Sequence, residues 1–92
     1  MLFEWDENKN QVNISKHGLD FNHVKLIFNE PMLVKKDNRN DYNEDRFIGI
    51  GLLNGNVIIT VWTYRNDRIR IISARQANKN ERKIYYEKVK QK

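Results

Sequence analysis

The chain has 92 residues, room for one core and one domain spanning 1–92, and a chain of this size buries only roughly 60–65% of its unfolded surface. A hydrophobic fraction of 39% and an aromatic fraction of 11% exclude a disordered tail, and no apolar run reaches the roughly 18–20 residues of a membrane span. Seventeen Lys and Arg against twelve Asp and Glu leave +5, and the absence of Cys excludes disulfides and thiolate chemistry.

The charge is unevenly spread. Residues 1–45 carry six basic and nine acidic side chains, and residues 46–92 carry eleven and three. A polyanion or an acidic partner meeting the second half is one explanation, and a solvated basic surface is the other. The acidic opening Met1–Asp6 lacks the basic start and apolar middle of a secretion signal. Together with the missing cysteine, this leads to the expectation of a cytoplasmic protein.

In chain order, Leu2–Trp5 reads as a short strand. Asp6 is a good N-cap for a helix that Gly18 closes, with Lys16 and His17 in the last turn, where the helix dipole favours cations. Asp20 caps a second helix carrying Phe21, Val24, Ile27 and Phe28, which Pro31 ends. Met32–Val34 can form a strand, and Lys35–Asp45 is a polar, exposed loop. Asn54-Gly55 is a type I′ hairpin signature between Arg46–Leu53 and Asn56–Tyr64. Asn66-Asp67 is a weaker turn before Arg68–Arg75. Asn78 and Glu81 resemble a capping box opening a helix with Ile84, Tyr85 and Val89. The order β-α-α-β-β-β-β-α predicts an α+β fold, an antiparallel meander with helices packed on one side.

Two-residue turns fix the register by counting. One face then reads Ile50–Ile59–Ala74, Ile48–Val61–Ile72 and Arg46–Thr63–Arg70, with its first two rows as core. The other reads Phe47–Trp62–Ile71, Gly49–Thr60–Ser73 and Gly51–Ile58–Arg75. Its small, polar centre suggests an open groove; the alternatives are a half-solvated face, or glycines that let a helix pack closely. In this register Arg75 projects opposite Arg46 and Arg70, so the three line one groove only if a bulge intervenes.

Glu4-Trp5-Asp6, Lys9, Asn13, Lys16-His17-Gly18, Phe21, Phe28, Pro31, Arg46-Phe47, Ile50-Gly51, Thr63, Arg68–Arg75 and Glu81-Arg82 follow one another in the order of the BrnT-type toxins of bacterial type II toxin–antitoxin systems, which this sequence resembles. The resemblance implies a RelE-like fold and a ribonuclease that inhibits translation. It also implies a BrnA-type antitoxin carrying a DNA-binding ribbon-helix-helix, a complex of two toxins on an antitoxin dimer, and operator contact through the antitoxin alone.

RNA can be cut without a metal, by attack of a 2′-hydroxyl on the adjacent phosphorus with proton transfer and cations on the phosphoryl oxygens. His17 and His23 lack the i, i+4 spacing of a helical metal pair, and Asp37, Asp41, Glu44 and Asp45 sit in one loop as solvated charges. No cofactor and no metal site are expected. Lys9, Asn13, Lys16 and His17 share one helix stripe, and His17 suits proton transfer; the plainer reading has Lys16 and His17 complementing the helix end. His23 reads as a structural histidine. Arginine clamps phosphate with a bidentate fork, so Arg75, Arg46 and Arg70 join Lys16 and His17 as catalytic candidates. A salt bridge to Glu81 or Glu4 is the plainer role for Arg75. Lys9, Thr63, Arg68 and Trp62 are substrate-binding candidates, Trp62 or Tyr64 stacking a base unless they are core. Lys79, Lys83, Lys88, Lys90 and Lys92 form a basic helix face that can attract RNA. The rival class is a non-catalytic nucleic-acid-binding or protein-interaction module built on the same basic half, and intact RNA after incubation would identify it.

Overall fold

The computed structural model describes residues 1–39 and 41–89. Lys90 and Lys92, read above as part of the basic helix face, lie outside the described residues. Strand β1 (Leu2–Glu4) leads to Asp6, whose carboxylate accepts the Lys9 N–H at 3.1 Å and starts α1 (Glu7–His17). Gly18 ends that helix at φ +70°, a left-handed conformation in which any side chain is strained. Asp20 caps α2 (Phe21–Val24), which tightens into a 3₁₀ turn over Lys25–Asn29. Glu30 is already extended, as the residue before a proline must be.

Strands β2 (Leu33–Lys36), β3 (Phe47–Leu53), β4 (Asn56–Arg65) and β5 (Arg68–Gln76) follow, then α3 (Lys79–Lys88). Asn54, Gly55, Asn66 and Asp67 all have positive φ, so both hairpins close through two-residue turns. The capping box at α3 is complete. Asn78 accepts from the Glu81 N–H at 2.8 Å, and the Glu81 carboxylate accepts from the Asn78 N–H at 2.9 Å.

The element order is the expected one, and the fold is α+β. The sheet is mixed rather than purely antiparallel. Its order is β1-β5-β4-β3-β2, and β1 pairs in parallel with β5, Leu2 opposite Arg68. The helices divide between the two faces instead of sharing one. α1, α2 and the 3₁₀ turn cover one core, with Phe21, Val24, Ile27, Ile58, Trp62, Ile69 and Ile71 buried together. α3 covers part of the other face through Tyr85, which packs with Val57, Ile59 and Ala77.

The assignment of faces is therefore reversed. The Phe47–Trp62–Ile71 face, expected to hold a groove, is the main core. Its small centre is filled by Trp62: a Cβ on Gly49 would lie 2.6 Å from the Trp62 ring and 2.5 Å from the Met32 methyl group. Gly51 leaves room for Ile27, 3.4 Å from where its Cβ would sit. The two glycines thus admit a large indole and a helical turn. The face carrying Ile48, Ile50, Ile59 and Val61, expected to be core, is only partly roofed by α3.

The register explains where the arginines go. β3 and β4 pair as counted, Phe47 with Trp62 and Leu53 with Asn56. β4 and β5 follow the count from Arg65↔Arg68 to Trp62↔Ile71. The pairing then slips, giving Val61↔Ser73, Thr60↔Ala74 and Ile59↔Arg75. Ile72 is the extra residue of a β-bulge. Beyond it, the side chains of β5 exchange faces, so Ala74 enters the main core and Arg75 moves to the half-open face. Two buried polar side chains hold the bulge. The Thr60 hydroxyl donates to the Ser73 carbonyl at 2.9 Å, and the Asn13 side-chain oxygen accepts the Ala74 N–H at 3.1 Å.

Candidate active site

The last turn of α1 and the bulge in β5 meet, and two clefts share that junction. His17 and Ser73 border both. The first cleft, about 460 Å³, lies on the half-open sheet face. Ile48, Ile50, Ile59 and Val61 form its floor, and Arg75, Glu81, Lys35 and Arg39 stand at its rim. The second, about 380 Å³, runs along α1 between Lys9, Val12, Lys16 and Ile72. His17 thus stands between two neighbouring clefts, with Lys9 and Lys16 on one and Arg75, Arg39 and Lys35 on the other.

α1 is fixed in place by its asparagines. Asn13 is 5% exposed and donates to the Leu19 carbonyl at 3.0 Å while it accepts from Ala74. Asn10, 1% exposed, donates to Asp20 at 3.0 Å and accepts the Phe21 N–H at 2.9 Å. Asn13 is therefore a structural tie and not a phosphate ligand, although it shares a stripe with Lys9 and Lys16. This tie aligns His17 with the bulge.

Arg75 is aimed by Glu81. Its two terminal nitrogens donate to the two Glu81 oxygens, each at 2.8 Å. Those hydrogen bonds hold the Glu81 carboxyl down to about 2, with the Asn78 N–H assisting and burial opposing, and they raise Arg75 above its ordinary value. The salt bridge expected as the plainer role of Arg75 is present; it engages both terminal nitrogens, Nη1 also donates to the Gln76 carbonyl at 3.2 Å, and Nε with one Nη2 hydrogen is left over at a residue that borders the first cleft.

Since Glu81 titrates lower in the folded chain than its ordinary 4.5, its contribution to stability is present above that value and is lost as pH falls toward 2. Asp37 behaves alike, held at about 2 chiefly by Arg39. Urea midpoints should therefore drop between pH 5 and pH 2.5, and Glu81→Gln should flatten that slope. Parallel slopes for the two proteins would remove Glu81 as a contributor.

The remaining candidates are dispersed. Arg46 donates to Glu44 at 3.3 Å and lies over the Tyr42 ring, 3.9 Å from its centroid. Arg70 donates to Glu4 at 2.9 Å. The bulge puts Arg70 on the same sheet face as Arg75, yet neither Arg46 nor Arg70 borders either cleft. Arg68 is exposed at the β4–β5 turn. Thr63 is buried and its hydroxyl donates to the Asp45 carbonyl, leaving nothing for a substrate. Trp62 is 2% exposed, packed against Phe28 and Phe47, and offers no face to a base. Tyr64 is exposed but packs edge-on to Phe47 on the main-core side of the sheet. His23 is exposed on α2. Lys79, Lys83 and Lys88 are exposed on α3.

The sequence reading missed Ser73, Lys35 and Arg39. It also placed Asp37 among solvated loop charges, whereas its side chain is fully buried. Among the described residues, no three His, Asp or Glu side chains converge as a metal-ligand set, and no helix is long and apolar enough to cross a membrane.

Residues 5–81 match the family model described as the ribonuclease toxin BrnT of type II toxin–antitoxin systems. Comparison with curated proteins gives no match. Among solved structures, the crystal structure of the Brucella abortus ribonuclease toxin BrnT superposes with a TM-score of 0.64, at 31% identity, over 86% of this chain and 100% of that one. A cognate antitoxin is therefore part of this protein's setting, and the chain belongs to the BrnT family of ribonuclease toxins of type II toxin–antitoxin systems.

Proposed function

We propose that the chain is a cytoplasmic endoribonuclease that cuts RNA without a metal ion and thereby inhibits translation. The observation that carries this reading is that His17 and Arg75 border one cleft, and that His17 and Ser73 also border the neighbouring cleft lined by Lys16 and Lys9. A strand of RNA laid along the two clefts brings one phosphodiester to the junction. The neighbouring 2′-hydroxyl loses its proton and attacks phosphorus. The 5′ oxygen leaves with a proton, giving a 2′,3′-cyclic phosphate and a 5′-hydroxyl end. His17 exchanges the proton at the reacting oxygens. Arg75 grips the phosphoryl oxygens as charge builds on them, and Lys16 and Lys9 hold the flanking phosphates. The neutralising partner is a BrnA-type ribbon-helix-helix protein in a 2:2 complex, and that partner alone carries the assembly to operator DNA.

Purified protein incubated with RNA in excess EDTA should produce fragments with 5′-hydroxyl ends, and the protein encoded by the adjacent gene should suppress them. RNA left intact in EDTA but cut on addition of Mg²⁺ would overturn the metal-free step, and RNA intact in both would favour a nucleic-acid-binding module. His17→Gln should lower the cleavage rate by about 10²–10⁴-fold, the range of general acid–base help. A folded His17→Gln protein that cuts RNA at the wild-type rate would assign the proton transfer elsewhere.

A further inference from the structure

The polar stretch between β2 and β3 contains a carboxylate that solvent does not reach. The Asp37 side chain is 0% exposed, and its backbone N–H donates to the Arg46 carbonyl at 2.7 Å. Both Asp37 oxygens face Arg39, which donates from Nε at 2.8 Å and from Nη2 at 2.9 Å; the Arg39 backbone N–H adds a bond at 3.1 Å. Removing a carboxylate from water is costly, and a paired buried charge adds little net stability over apolar packing. What such a pair supplies is orientation. Arg39 has its backbone and its head held by Asp37, with the Tyr42 side chain beside both, yet it remains largely exposed, and it borders the same cleft as Arg75.

The two arginines are built alike. Each fork rests on a carboxylate, Asp37 for one and Glu81 for the other. Each keeps further N–H donors for a ligand, because a guanidinium has five. Their like charges act on each other, the Arg39 charge opposing that of Arg75. An anion between them removes that repulsion. The floor they overlook is aliphatic, formed by Ile48, Ile50, Ile59 and Val61, and suits the weakly polar faces of a ribose and a base.

We propose that Arg39 is a substrate-binding residue that takes an RNA phosphate at the cleft rim opposite Arg75, with Asp37 as its positioning residue and the intervening nucleotide on the aliphatic floor. The proposal rests on the ribonuclease reading for its ligand class, and the following test separates the two. The probe is a single-stranded 2′-fluoro RNA oligonucleotide, which lacks the attacking hydroxyl. Its affinity is measured at several salt concentrations for wild type, Arg39→Ala, Arg39→Lys and Asp37→Asn. Arg39→Ala should bind about tenfold more weakly, and its plot of log affinity against log salt should be shallower by roughly 0.7, as for one lost phosphate contact on a single strand. Arg39→Lys should keep the slope and lose part of the affinity, since a point charge cannot replace the fork.

With cleavable RNA, Arg39→Ala and Asp37→Asn should raise KM and leave kcat within about twofold, whereas loss of Arg75 lowers kcat. Wild-type affinity and slope in a folded Arg39→Ala protein would overturn the proposal, even with Arg75→Ala inactive and the ribonuclease reading intact. A fall in antitoxin affinity with unchanged RNA affinity would overturn it equally. Should wild type bind the probe and leave every RNA whole, the ribonuclease reading fails, while the salt slope still decides on Arg39.

Discussion

Replacing Arg75 by alanine should reduce RNA cleavage by about 10²–10³-fold, the loss typical when one preorganised donor is removed from developing negative charge. The protein should stay folded. The Arg75 side chain is nearly half exposed, and its partner Glu81 keeps a second role as the reciprocal cap on Asn78. Losing a partly exposed ion pair costs about 1 kcal/mol or less. Cleavage by the purified variant, read beside its thermal melt, checks both statements. Arg75→Lys should fall between the two, retaining charge without the fork that Glu81 aligns. A folded Arg75→Ala protein that cuts RNA at the wild-type rate would remove this residue from the site.

Asn13→Ala should have the largest effect on stability. The side chain joins three elements: it belongs to α1, donates to the Leu19 carbonyl ahead of α2, and accepts from Ala74 in β5. Both bonds are buried. Truncation strands one donor and one acceptor, each worth about 1–3 kcal/mol when left unsatisfied. The expected loss is about 2–4 kcal/mol, against a total of roughly 5–15 kcal/mol for a folded domain. Urea unfolding gives the midpoint directly. Thr60→Val, nearly the same shape, should act in the same direction through the Ser73 carbonyl, with a smaller shift because one bond is lost. If Asn13→Ala unfolds at the wild-type urea concentration, the bulge has some other support.

The features read correctly from sequence are those fixed by neighbours along the chain. Asp6 and Gly18 bound α1 because a carboxylate satisfies free N–H groups and a glycine tolerates positive φ. Asn54-Gly55 sets its turn for the second of these reasons, and Asn78 with Glu81 sets α3 for the first. Most of what escaped depended on residues far apart. The bulge rests on Thr60 and Asn13, and one extra residue at Ile72 was enough to move Arg75 to the other face. Trp62 belongs to the core because Gly49 and Met32 make room for it, a fact invisible in any window of β4. Asp37 reads as a loop charge until Arg39 and the Arg46 carbonyl are seen around it. His17 and Arg75 were legible as chemistry, but their meeting at one cleft was legible only in the fold.

The parallel pairing of β1 with β5 carries a consequence for synthesis. Glu4 and Arg70, joined across that pairing, are 66 residues apart in the chain. The helix that presents His17 emerges from the ribosome early; the strand and cap that present Arg75 and Glu81 emerge near the close of translation. Contacts so distant in sequence form late and slowly. A growing chain therefore has the His17 side of the first cleft long before its Arg75 side, which is complete only once the last strand has paired with the first.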